Sequence, residues 1–348
     1  MNLHKNIAKS IQFLIENNFE FAVFRLPNSE KIKLFVDQNS EKKSGFVIQA
    51  FNVKNASIFI SDDLVFENEN IKISNIKSII STEKNKDLDH KSAVHFQTQN
   101  AYQLYVKEVA ETCKTENLNK GVSARIKSVA IPENFDLGIY FVKLLENYKT
   151  AFVNIFYKQE IGLWLGATPE TLVKKDTRFY ETVSLAGTKL ISANRAWTNK
   201  EKEEQQIVTD YIKDVLIEED CSIENDLKSK TIEAGLIAHI KTEIKFSSQK
   251  TFLELAKILH PTPAVCGFPK EEALKLIRKH EGNQRQLYAG FIGVVTENIK
   301  HLFVNLRCMR ITEKDFLIYV GAGITKDSKP EKEWQETENK AQTLMRFL

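Results

Sequence analysis

Apolar runs of strand length recur along the whole chain, while few segments carry helical periodicity. In the first hundred residues Phe19–Leu26, Ile32–Val36 and Phe46–Phe51 read as strands. Farther on, Ala151–Tyr157, Gly162–Leu165, Phe179–Leu185, Leu236–Ile244, Ala289–Val295, Leu302–Ile311 and Phe316–Val320 do the same, and Leu118–Ile131 is a longer candidate. Helical spacing is confined to Ile7–Ile15, Ala101–Cys113, Ile139–Tyr148, Lys200–Leu216 and the stretch after Pro330, a residue favoured in the first turn. Many strands with few helices predict an α+β fold built on large, mostly antiparallel sheets. Segment 82–91 is the most polar stretch; it reads as an exposed loop and as the one candidate boundary.

With 49 basic and 46 acidic residues the net charge is +3, which gives no reason to expect nucleic acid or an anionic membrane as partner. No apolar run reaches the length of a membrane span, and the amphipathic start is not a signal peptide, so a cytoplasmic protein is expected. The four cysteines lie far apart without a C-x-x-C pair, which fits free thiols rather than a zinc site or disulfide framework. Glycine is scarce: seven of 13 fall in GATPE, AGT, VCGFP, AGFIG and VGAG. These mark tight turns or a close approach to a ligand, but none is a phosphate-binding loop.

Four places put charge where the pattern predicts core. Lys120 shares a strand face with Val122, Ala124 and Ile126. It is either a strand-end lysine reaching solvent or a buried amine driven toward its neutral, basic form. Glu204 lies on the apolar stripe of Ile207 and Val208, one turn after Glu201; a solvated first turn and a bound carboxylate both suit it. Glu333, Glu336 and Lys340 share one face of the last helix, as a surface ion pair or as carboxylates aimed at a cation. Carboxylates from two helices suit Mg²⁺. Arg307 sits in an apolar strand, HLFVNLRCMRI, and needs a carboxylate or phosphate partner.

In this order the motifs NKGVSAR (119–125), GATPETLV (166–173), SLAGT (184–188), KEKEEQQIV (200–208), HPTPAVCG (260–267), YAGFIG (288–293), LRC (306–308), VGAGIT and PEKEWQETENK (320–340) resemble the chorismate-utilising enzymes. That family contains isochorismate, salicylate, anthranilate and aminodeoxychorismate synthases. The resemblance spans 101–348 as the chorismate-binding core, leaving 1–100 as a divergent part of the same fold. It implies a single large domain of two stacked, mostly antiparallel sheets with helices outside, and Mg²⁺-dependent attack at ring C2 with loss of the C4 hydroxyl. By motif, Lys120 resembles the base that activates water and Glu170 the acid for the departing hydroxyl. Glu204 and Glu336 resemble the metal ligands, with Glu201 and Glu333 behind them. Gly187, Thr188, His260, Tyr288, Arg307, Gly323 and Lys340 resemble substrate contacts.

Lysine at 120 and alanine at 186 point to water rather than an amine as nucleophile. The resemblance therefore implies an isomerase, isochorismate synthase, with salicylate synthase as the alternative and an inactive binding homologue behind both. A monomer with chorismate as its partner, and neither nucleic acid nor membrane, is expected; quinone and siderophore pathways both remain open. One departure stands out: EEQQ carries glutamine where relatives often carry histidine after the metal glutamate.

Overall fold

A computed structural model describes residues 2–40, 42–79, 96–115, 117–193, 195–234, 237–282 and 284–348. Segment 82–91 lies outside the described residues. The chain begins with α1 (Asn2–Glu16), β1 (Phe21–Arg25), β2 (Ile32–Val36), β3 (Gly45–Gln49), β4 (Ile58–Ser61), β5 (Leu64–Glu67), α2 (Ile73–Lys77) and α3 (Gln99–Lys114). There follow β6 (Lys120–Ala130), α4 (Leu137–Asn147), β7 (Phe152–Lys158), β8 (Gly162–Thr168), β9 (Thr171–Lys175), β10 (Tyr180–Leu190), α5 (Asn199–Glu218), β11 (Ser222–Ile223), β12 (Ser229–Ala234) and β13 (Ile237–Ser247). The chain closes with α6 (Phe252–Leu259), β14 (Gly267–Phe268), α7 (Lys270–Glu281), β15 (Phe291–Val295), β16 (Lys300–Val304), β17 (Cys308–Ile311), β18 (Asp315–Ile324) and α8 (Pro330–Met345).

The strands form two sheets, and the fold is α+β. One runs β14-β6-β18-β17-β8-β7-β1-β2-β5; the other runs β11-β13-β10-β9-β16-β15-β3-β4, with β12 also on β13. The first hundred residues contribute strands to both, through β1 beside β7 and β3 beside β15. The sheets stack through an aromatic layer in which Phe152 lies 4.3 Å from Phe303, centroid to centroid, and 6.1 Å from Phe46.

The first sheet is covered on its other face by helices. Ala22 and Phe24 of β1 point into the inter-sheet core, while Phe21 and Val23 join the layer beneath α1, α4 and α8. Burial on both faces explains why these strands read as continuous apolar runs instead of alternating ones. Among the described residues no helix is long and apolar enough to cross a membrane.

The structure corrects one predicted strand. Leu302–Ile311 is two strands in different sheets, β16 and β17, because the chain crosses between the layers at 305–307. Arg307 adopts φ 48° there, so it sits at a crossover and not inside a strand. The helices α6 and α7 were not anticipated: α6 is only eight residues long. α7 gathers its apolar side chains within residues 273–277, between charged turns, so they read as one short run.

Phe152 is fully buried between the sheets, so Phe152→Ala should destabilise the protein by about 3–5 kcal/mol. Urea unfolding measures this, and a loss below about 1 kcal/mol would mean that the sheets do not meet there.

Candidate active site

The cavity opens where both sheets meet α5 and α8. Its wall includes Glu170, Ala186, Gly187, Glu204, His239, Ala264, Tyr288, Arg307, Tyr319, Gly321, Gly323, Glu336 and Lys340. Lys120 stands behind Glu204 and Gly323. It is the first residue of β6, but β14 pairs with it across the edge, Phe268 opposite Lys120, so the strand end is sealed from solvent. The side chain is fully buried, and Nζ lies 2.8 Å from Glu204 Oε1. The contact is a charge pair whose angles fall outside those of a directed hydrogen bond. Gly323 makes room for it: a Cβ there would sit 2.6 Å from Glu204 Oε1 and 3.1 Å from Lys120 Cε.

Glu170 enters from the turn between β8 and β9. Its backbone is pinned by a hydrogen bond from Val304 N to its carbonyl at 2.9 Å. Burial pushes its carboxyl up to about 7, against the opposing pull of Lys120, Lys340 and Arg307. A carboxyl that holds its proton near neutrality beside cations can act as a general acid.

Glu336 Oε1 lies 2.7 Å from Lys340 Nζ on α8, and Lys340 also donates to Gly321 O at 2.8 Å. Glu204 and Glu336 thus face one cavity from two helices, each with one oxygen against a lysine. Hard carboxylate donors from two elements fit Mg²⁺, which takes few protein oxygens and keeps several waters. No group of three or more His, Cys, Asp or Glu suited to a metal occurs among the described residues.

Arg307 Nη1 donates to Thr343 Oγ1 at 2.9 Å and Lys340 O at 3.3 Å, which fixes the fork against α8. Burial lowers its pKa from the usual guanidinium value. Its Nε and Nη2 have no protein partner among the described residues. Tyr288 places its hydroxyl 2.8 Å from where a Cβ of Gly321 would be, and burial raises its phenol. Gly187, at φ 69°, forms a bulge in β10 where pairing with β13 shifts between Ala186 and Thr188. Thr188 follows on that strand; its side chain is outside the described set.

Two expectations change. His260 does not line the cavity: it is fully buried at the end of α6, with Nε2 3.1 Å from Phe51 O and its ring edge-on to Phe291. Glu201 does not stand behind the carboxylates. It closes a capping box with Thr198 and binds Arg195 through both oxygens, at 2.5 and 2.9 Å. Glu333 is buried in the first turn of α8.

Sequence reasoning missed His239 and Tyr319. His239 Nδ1 meets Gly187 O at 3.0 Å, and burial, then Arg307, lowers its pKa to about 4, so the imidazole is neutral at pH 7. On β13 it shares its face with Lys241 and Glu243, which reads as a solvated side. Nothing in the alternation marks it.

The family described as chorismate binding enzyme matches residues 39–348. The isochorismate synthase EntC of Escherichia coli (strain K12) is 29% identical over 260 residues, covering 71% of this chain and 66% of EntC. The match therefore spans just under two thirds of that relative. Two solved structures share the fold. The menaquinone-specific isochorismate synthase MenF of Escherichia coli has a TM-score of 0.76 at 19% identity, covering 95% of this chain and 88% of that one. DhbC from Bacillus anthracis, described as a putative 2,3-dihydroxybenzoate-specific isochorismate synthase, has a TM-score of 0.76 at 22% identity, covering 97% and 99%.

The raised Glu170 carboxyl makes a stability prediction. Between its ordinary value of 4.5 and about 7 the folded state holds a proton that the unfolded state has released, so stability falls as pH rises through that window. The wild type should lose up to about 3 kcal/mol from pH 4.5 to 7 relative to Glu170→Gln, at 1.36 kcal/mol per pKa unit. Urea unfolding of both proteins across that range measures the difference, and parallel curves would remove the assignment.

Proposed function

The chain belongs to the chorismate-binding enzymes, and from that membership we propose that it is an isochorismate synthase, an isomerase that moves a hydroxyl from C4 to C2 of chorismate. The observation that carries this reading is the fully buried Lys120 amine against Glu204 at the cavity wall, with the Glu170 carboxyl, raised to about 7, lining the same cavity. In the proposed reaction Lys120 takes a proton from water as its oxygen bonds to C2. Both ring double bonds shift, from C1=C2 to C1=C6 and from C5=C6 to C4=C5, and Glu170 gives its proton to the hydroxyl leaving C4. Water is thereby added and water is lost, which balances the isomerisation.

The Nε and Nη2 of Arg307, with the Tyr288 hydroxyl, hold the enolpyruvyl carboxylate. The bulge at Gly187 and Thr188, together with Gly323 and Lys340, borders the ring. Glu204 and Glu336 would hold Mg²⁺, which when bound would neutralise the ring carboxylate. His260 is not carried forward as a contact. Ala186 supports water as the nucleophile, since a lysine at that place would compete for C2. Chorismate is the proposed partner, bound by a monomer in the cytoplasm.

Purified protein with chorismate and Mg²⁺ should yield isochorismate, resolved by chromatography. Salicylate with pyruvate, or no product, would overturn the proposal. Lys120→Gln should abolish isochorismate formation while thermal unfolding shows a folded protein; near-normal turnover would remove Lys120 as base. Arg307→Lys, which loses the fork, should weaken chorismate binding by roughly 1–3 kcal/mol, read by calorimetry. Unchanged affinity would leave Arg307 a purely structural residue.

A further inference from the structure

We propose that Gln205 is a positioning residue that stands in for a missing strand and thereby sets both the substrate-facing bulge and the helix carrying Glu204. Strand β9 pairs with β10 only at Tyr180 and Glu181. Beyond it the outer edge of β10 carries the Ser184 carbonyl and the Ala186 N–H, two residues apart and therefore on one side of the strand. Buried backbone groups of this kind must find partners.

Gln205 supplies them from α5. Its Oε1 accepts from Ala186 N at 2.7 Å, and its Nε2 donates to Ser184 O at 3.1 Å. A carboxamide offers the acceptor and donor of one peptide unit, so the side chain completes the ladder where the neighbouring strand has ended. The same Nε2 lies 2.9 Å from Ser184 Oγ, 3.2 Å from Thr242 Oγ1 and 3.4 Å from Thr209 Oγ1, and Thr209 Oγ1 donates to Ser184 Oγ at 2.9 Å. Gln205 is 4% exposed.

Two site elements follow from this attachment. Ala186 immediately precedes Gly187, whose φ of 69° turns the bulge toward the cavity. A Cβ on Gly187 would lie 3.1 Å from Glu201 O, so α5 rests directly on the bulge. Fixing Gln205 to the strand also fixes the rotation of α5 about its axis, and the preceding residue, Glu204, then faces Lys120. An apolar residue at 205 would leave two backbone groups unpaired and release that rotation. A carboxylate could accept from Ala186 N but would face the Ser184 carbonyl without a proton to donate. The glutamine that departs from the family pattern is therefore matched to its surroundings as an uncharged peptide mimic.

The test compares Gln205→Met with Thr242→Val, which removes a partner of the same amide but leaves Ser184 and Ala186 satisfied. Hydrogen–deuterium exchange over 184–188 should rise at least tenfold in Gln205→Met and stay at the wild-type level in Thr242→Val. The kinetic arm rests on the proposed chorismate activity: Gln205→Met should raise KM at least tenfold with kcat within about threefold, and Thr242→Val should leave both unchanged. If the methionine variant does not fold, Gln205→Asn, one methylene too short to reach both groups, is read in the same way. Exchange unchanged by either Gln205 variant would overturn the proposal. So would a lowered melting temperature with unaltered KM in an active enzyme, the signature of a merely structural residue. Should the protein not act on chorismate, exchange alone still decides.

Discussion

The contact on which the site depends is that of the fully buried Lys120 with Glu204, 2.8 Å apart. The fully buried lysine amine meets a carboxylate that lines the cavity, so the pair joins the core to the site. Three unrelated parts of the chain must cooperate to hold it. Strand β14 seals the end of β6, Gly323 keeps the facing strand free of a side chain, and α5 presents the carboxylate. Each is placed by sheet register or by a helix docked on a sheet edge, so the pair reports on the whole arrangement.

The two-sheet stack decides where chemistry can occur. Both faces of the first sheet are covered, one by the aromatic layer and the other by helices, which leaves the strand ends and crossovers as places for polar groups. Arg307 uses one of these. The chain leaves the second sheet after Val304 and enters the first at Cys308, and Asn305, 1% exposed, braces the crossing through a hydrogen bond to Leu287 O at 3.0 Å. The positive φ at Arg307 turns its side chain toward α8 and the cavity.

Charge misplaced in an apolar pattern was the signal that worked. Lys120, Glu204, Glu336, Lys340 and Arg307 were each visible as charges on faces expected to be buried, and all five meet at one cavity or its wall. What the pattern could not supply was pairing across the fold: that Lys120 and Glu204, 84 positions apart, neutralise one another depends on the register of β6 and β18 and on the rotation of α5. The two histidines failed for opposite reasons. His260 belongs to a motif that does reach the cavity, but through Ala264, while its own ring fills the core. His239 lies in a strand whose face looks solvated, and only the bulge in β10 brings it to the site. Glu201 was legible in a different sense, since Thr198 followed three residues later by glutamate is the signature of a capped helix start.

Glu170 shows how local burial outweighs a favourable charge field. Lys120, Lys340 and Arg307 all favour its ionised form, yet desolvation dominates and the carboxyl is raised to about 7. The reason lies in what surrounds it. Among the described residues no donor supplies its carboxyl oxygens with a hydrogen bond, so the cations act only through space. Glu204 and Glu336, by contrast, each touch a lysine. Three acidic residues in one cavity are thus divided by contact: two lie against a lysine, and the third, Glu170, is the one that burial leaves raised. A dianionic substrate such as chorismate, entering beside Glu170, adds negative charge, which favours the protonated carboxyl further. In the proposed reaction the acid would therefore be most firmly protonated when the departing hydroxyl is in place to receive its proton.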